Sequence, residues 1–167
     1  MLFRKRDKSS ANAAKPESLE TVIQQELGGA EAEVTLIVTA IAGLLASVAY
    51  ADREVASAET ELLRRELGRI QGLDERAVHA IYTALTRHIL EISTLQRPRY
   101  TRALLEHADR DLRVQVLGAL VELAAADGTI NHAEVSTLRA ITNALGLTQD
   151  DYNELQARHR DKLGALR

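Results

Sequence analysis

Four carboxylates carry the chemistry this sequence offers: Asp52 with Glu59, and Asp127 with Glu134. The pairs lie in two imperfect copies of one stretch, Ala49 to Glu59 and Ala124 to Glu134. At a constant offset of 75 positions, Asp52 falls on Asp127, Val55 on Ile130, Ala58 on Ala133 and Glu59 on Glu134. Several carboxylate oxygens brought together hold a hard cation such as Ca2+ or Mg2+. Paired carboxylates also act as general acid and base, with or without a metal-bound water. The spacing is not that of an EF-hand: its third loop position would be Thr129, and the glutamate arrives at the eighth position, too early for the bidentate ligand.

A structural role competes at each of these positions. Asp52 and Asp127 each close a helical run, where the macrodipole disfavours an anion by a few tenths to about 1 kcal/mol, so a repeated aspartate there needs a cause. One cause is local, because an aspartate accepts backbone N–H groups of the turn that follows it. Asn131 and Glu134 have the spacing of a capping box, worth on the order of 0.5–2 kcal/mol. These structural readings stand ahead of cation binding. No catalytic residue is assigned, since the chain has neither a recognisable activated nucleophile nor a phosphate loop. His79, His88, His107, His132 and His159 show no ligand spacing, and only His132 sits beside an acidic turn. Arg97, Arg99 and Arg102 around Tyr100 read as a solvated helix start rather than a binding patch.

The elements that must position these groups are helices. Ser18 to Leu27 is a short amphipathic run stopped by Gly28-Gly29. From Val34 to Ala51 there are 18 residues without a charge, at the lower edge of what crosses a bilayer. Six of them are Ala or Gly, so the preferred reading is a helix packed on most sides, with a membrane span as the alternative. A helix from about Ala56 to Gln71 follows the first acidic turn, and Gly72-Leu73 stops it. Leu145-Gly146-Leu147 repeats that stop at an offset of 74, so the duplication covers two successive joints. Asp74 caps a helix through Leu90, and Arg97-Pro98-Arg99 interrupts the pattern. Asp109 caps a helix whose apolar face includes Leu112, Val116, Leu120 and Leu123 and which ends at the second acidic turn. Thr148 with Asp151 opens the last helix. Nothing alternates as a strand does, so the chain is expected to be all-α.

Composition sets the outer limits. A chain of 167 residues, 46% of them hydrophobic, fills one core, and only 3% aromatics means that aliphatic residues and alanine must build it. A net charge of -3 gives no reason to expect nucleic acid. The absence of cysteine excludes disulfides, thiolate chemistry and Cys-ligated metal, and fits a cytoplasmic location. Residues 1–18, with Arg4, Lys5, Arg6 and Lys8, hold too few apolar groups to offset ordering entropy and read as a disordered basic tail with no secretory signal. The folded domain is expected over 19–167.

The pattern Ala-x-Ala-Asp-x-x-Val/Ile-x-x-Ala-Glu, present twice, resembles the bacterial tellurite-resistance TerB family, whose superfamily includes the N-terminal domain of the DnaJ-like co-chaperone DjlA. The resemblance covers about residues 31–160, and the second copy is the more specific. The first departs from the family at Arg53, where Gly is usual, and at Ala56, where a capping Ser, Thr or Asp is usual. The resemblance implies a single-domain bundle of about seven helices with an internal pseudo-twofold repeat. It implies a noncatalytic stress-response adaptor or sensor that meets protein partners, membrane-associated ones among them, at the inner membrane face without spanning it. It also implies Asp52, Glu59, Asp127 and Glu134 as candidate ligands of a divalent cation, Ca2+ or Mg2+. The runner-up functions are a small carboxylate- or metal-dependent enzyme and a membrane protein with residues 34–51 in the bilayer.

Overall fold

The computed structural model describes residues 17–53, 57–126 and 128–164, with side chains up to residue 160. Asp127, Val55, Ala56 and most of the expected basic tail therefore lie outside the described residues. Within them the chain forms helices and no strand: α1 (Leu19–Glu26), α2 (Ala32–Ala49), α3 (Ser57–Gly68), α4 (Glu75–Arg87), a single turn α5 (Ile89–Glu91), α6 (Arg97–His107), α7 (Arg110–Ala124), α8 (His132–Ala144) and α9 (Gln149–Gly164). A π turn over Ile92–Gln96 joins α5 to α6. Leaving aside α1 and the single turn α5, seven helices make up the part expected from the resemblance.

The all-α architecture follows from capping and apolar periodicity acting together. Ser18, Asp74, Asp109 and Asn131 each accept a backbone N–H in the first turn of the helix they precede, which satisfies one of the donors that every helix start leaves over. Thr148 and Asp151 do the same reciprocally: Thr148 N–H donates to Asp151 Oδ2 at 2.8 Å and Asp151 N–H to Thr148 Oγ1 at 3.1 Å.

Helix α2 is the axis of the bundle. It packs against α1, α3, α4, α6, α7, α8 and the π turn. Its length and apolar character would suffice to cross a bilayer, yet 67% of it is buried inside the fold, as befits a helix surrounded by protein. Small residues make this possible, because Ala40, Ala42, Gly43, Ala46 and Ala49 let neighbouring helices come close. The Tyr100 ring of α6 lies directly on Gly43, where any Cβ would overlap it. Thr39 and Ser47 spend their hydroxyls on the carbonyls of Thr35 and Gly43, at 2.7 and 2.8 Å, and so enter the core at little cost.

One expectation is relocated. The break foreseen around Pro98 falls earlier, at His88, which ends α4. Helical backbone then runs from Ile89 through Pro98 to His107. Pro98 sits in the first turn of α6, directly after the wider π turn.

The internal repeat is visible in the backbone. Helices α2 and α7 end 75 positions apart, at Ala49 and Ala124, and α3 and α8 begin 75 apart, at Ser57 and His132. The residues that follow α2 and α7 take the same turn. Tyr50 has φ -103 and ψ 12, and Ala125 has φ -92 and ψ 9. Arg53 N–H donates to Tyr50 O, and Gly128 N–H to Ala125 O, both at 3.0 Å. Both turns then need a positive φ, 67° at Arg53 and 94° at Gly128. Glycine adopts this region freely and a side chain does not, so Arg53 holds the same turn as Gly128 at a conformational cost. Replacing Arg53 by Gly is expected to leave stability unchanged or raise it by up to about 1 kcal/mol, and Gly128→Ala to lower it by about 1 kcal/mol. Urea unfolding of the two variants measures both effects, and a shared sign would show that the hinges are not equivalent.

Candidate functional site: an acid pair between the two hinges

The hinges meet. Asn131, the N-cap of α8, uses its side chain in two directions. Its Oδ1 accepts the Glu134 N–H at 2.9 Å, and its Nδ2 donates to Asp52 Oδ2 in the first hinge at 3.0 Å. Glu134 returns the cap, accepting the Asn131 N–H on Oε2 at 2.8 Å, so the capping box expected from spacing is complete. The unfavourable place of Asp52 after the end of α2 now has one cause: its charge receives a donor from the opposite hinge.

Below this bond the two repeated glutamates face each other. Glu59 stands in the first turn of α3 and Glu134 in the first turn of α8, 4% and 3% exposed. Their carboxyl groups lie within hydrogen-bonding reach of each other. A bond between two carboxyl groups needs a proton between them, because two bare carboxylates have no donor. Burial is the largest influence on Glu134 and raises its pKa to about 7. The Asn131 N–H pulls it down, while Glu59 and then Asp52 push it up. The positive end of α8 also favours the anion, by about 0.3–1 kcal/mol when exposed and up to about 2 kcal/mol when partly buried, and desolvation outweighs it. At neutral pH Glu134 is therefore about half protonated, midway between a neutral hydrogen-bonded core group and a charged one.

Three of the four sequence-predicted residues, Asp52, Glu59 and Glu134, are thus brought to one place, and Asp127 lies outside the described residues. Sequence spacing identified Asn131 only as a cap. Its bond across to Asp52 joins residues 79 positions apart, and no local pattern signals it. Among the described residues no group of three or more His, Cys, Asp or Glu side chains is placed to hold a metal ion. The oxygens are turned to other donors: Glu134 to Asn131 N–H and to Glu59, Asp52 to Asn131 Nδ2. His132, the first residue of α8, is exposed beside the site.

The shared proton makes stability depend on pH. Glu134 has its pKa raised from 4.5 to about 7 in the folded protein, so between those values the folded state binds more protons than the unfolded one, and its stability falls as pH rises. The contribution lost between pH 5 and pH 8 is on the order of 1–3 kcal/mol. Glu134→Gln replaces the shared proton by an amide: Oε1 still accepts the Asn131 N–H and Nε2 donates to Glu59. This variant is expected to be more stable than the native chain at pH 8 and to lose most of the slope, as measured by urea unfolding across that range. An unchanged slope would mean that Glu134 is charged in the fold.

No curated protein and no solved structure matches the chain. The model of one family, described as Tellurite resistance protein TerB, matches residues 38–157, which takes in both hinges and runs from α2 into α9. That span is most of the chain, and the protein belongs to the TerB family.

Proposed function

We propose that this protein is a noncatalytic adaptor or sensor module of the tellurite-resistance type, acting in a stress response through a protein partner. The observation that carries the reading is the joining of two equivalent helix–hinge–helix units through one protonatable contact. Glu59 and Glu134 lie 4% and 3% exposed, out of reach of a substrate atom, which supports a sensing role over acid–base catalysis. Burial of 67% of α2 among its neighbours supports a domain that meets a membrane, if at all, from the cytoplasmic face and through its partner. No nucleic acid is part of the proposal, since the net charge is -3.

The cation-dependent form of the proposal places Ca2+ or Mg2+ at Asp52, Glu59, Asp127 and Glu134. It requires Asp127 to complete the ligand set and the Glu59–Glu134 proton to leave, so the ion and the proton would compete. The test is a two-dimensional NMR titration with Ca2+, Mg2+ and Zn2+ at pH 6 and pH 8, on the native chain and on Asp127→Asn with Glu134→Gln. Cation dependence predicts saturable shifts at both hinges, tighter at pH 8 and lost in the double variant. Unchanged spectra at millimolar metal remove the cation. Affinity purification of the tagged protein from its native cells tests the adaptor itself, with a reproducible partner that depends on the folded domain as the expected outcome and recovery of the protein alone as the contrary one.

A further inference from the structure

A second site lies away from the hinges. Helices α1, α2 and the π turn enclose a cleft of about 310 Å3, at the lower end of the range for small-molecule sites, about 300–1,000 Å3. Leu36 of α2 and Ile92 of the π turn form its apolar wall, and Tyr100 lies against it. The Tyr100 ring rests on the backbone of α2 at Gly43, so the phenol is fixed in place. π turns inserted in helices are frequent at functional sites, and this one places Ile92 and Gln96 in the lining directly after Glu91 of α5.

Charge decides what such a cleft takes. The ionised groups that act on the Tyr100 hydroxyl are Arg99, Glu91 and Glu20. Arg99 Nη2 is already committed to Glu20 Oε2 across the cleft, at 3.1 Å. Glu91 Oε1 accepts from Gln96 Nε2 at 3.1 Å, a neutral donor, and among the described residues no ion pair is found for it. His88 also lines the cleft, its Nε2 against the Glu17 carbonyl at 3.0 Å; among Glu20, Glu91 and Arg99 one negative charge is left over beside the apolar wall. The Tyr100 phenol stays protonated, its pKa pushed up to about 12 chiefly by burial, and it offers an oxygen as well as a proton. An anion entering here would meet Glu91 with its nearest cation already engaged.

We propose that this cleft binds a primary ammonium group on a short aliphatic stem, with the ammonium at Glu91 and Tyr100 and the stem along Leu36 and Ile92. The chemistry is shared by a free alkylamine and by the lysine side chain of a partner protein. The proposal is independent of the hinge carboxylates, which lie elsewhere in the fold.

Backbone NMR of the full chain tests it with three probes: n-butylammonium, butyrate of the same shape and opposite charge, and lysine with both backbone ends blocked. Saturable shifts confined to Glu91, Ile92, Tyr100 and their neighbours are expected with an amine, in the millimolar range, and none with butyrate. In Glu91→Gln, an exposed substitution, amine binding weakens at least about tenfold. Tighter binding of blocked lysine than of butylammonium identifies a partner's lysine as the source, and the reverse order a free amine. No saturable shift with either amine, equal shifts with butyrate, or an unaltered affinity in Glu91→Gln would overturn the proposal. The comparison of the two butyl ions in the native chain decides the sign of the site whatever the variant does to the fold.

Discussion

Two glutamates removed from water face each other where the halves of this molecule meet. Each is in the first turn of its own helix, and each turn follows a hinge that the sequence repeats. Burying a single carboxylate without a partner would cost several kcal/mol, and burying two as anions side by side would cost more. Sharing a proton removes one charge, and the capping bond from Asn131 stabilises what remains. The pair is thus tolerated in the core only because α3 and α8 start at the same place, which requires that α2 and α7 end there in equivalent turns. The fold and the site are one constraint seen from two sides.

Helix α2 meets that constraint from the other direction. It delivers the first hinge, and it can sit among so many neighbours because much of it is alanine and glycine. Its polar side chains Thr39 and Ser47 are satisfied within the helix itself, so nothing obliges them to face water. The hydroxyl oxygen of Thr35 is the exception, buried with no hydrogen-bond partner among the described residues. An apolar helix of this length passes for a membrane span when read alone. What distinguishes it here is the set of helices packed around it, each turning buried apolar residues inward.

Much of this was legible in the residues. The starts of α4, α7, α8 and α9 were marked by Asp74, Asp109, Asn131 and Thr148, because a cap is a local interaction between residues three apart. The duplication was legible because the same turn needs the same residue types. Arg53 departs from the glycine usual in the family, yet the turn forms with the side chain at positive φ, since the packing of α2 and α3 outweighs a local penalty of about 1 kcal/mol. The bond from Asn131 to Asp52, the burial of Glu59 and the cleft beside Tyr100 were not legible. They depend on which helix lies against which, and spacing along the chain carries no trace of that.

Carboxyl 13C chemical shifts of Glu59 and Glu134, followed from pH 4 to pH 9, report the shared proton itself. The account predicts a coupled titration of the two resonances, with Glu134 changing at a midpoint near 7, where burial and its neighbours place it. Independent titration of both groups at ordinary glutamate values, near 4.5, would contradict it.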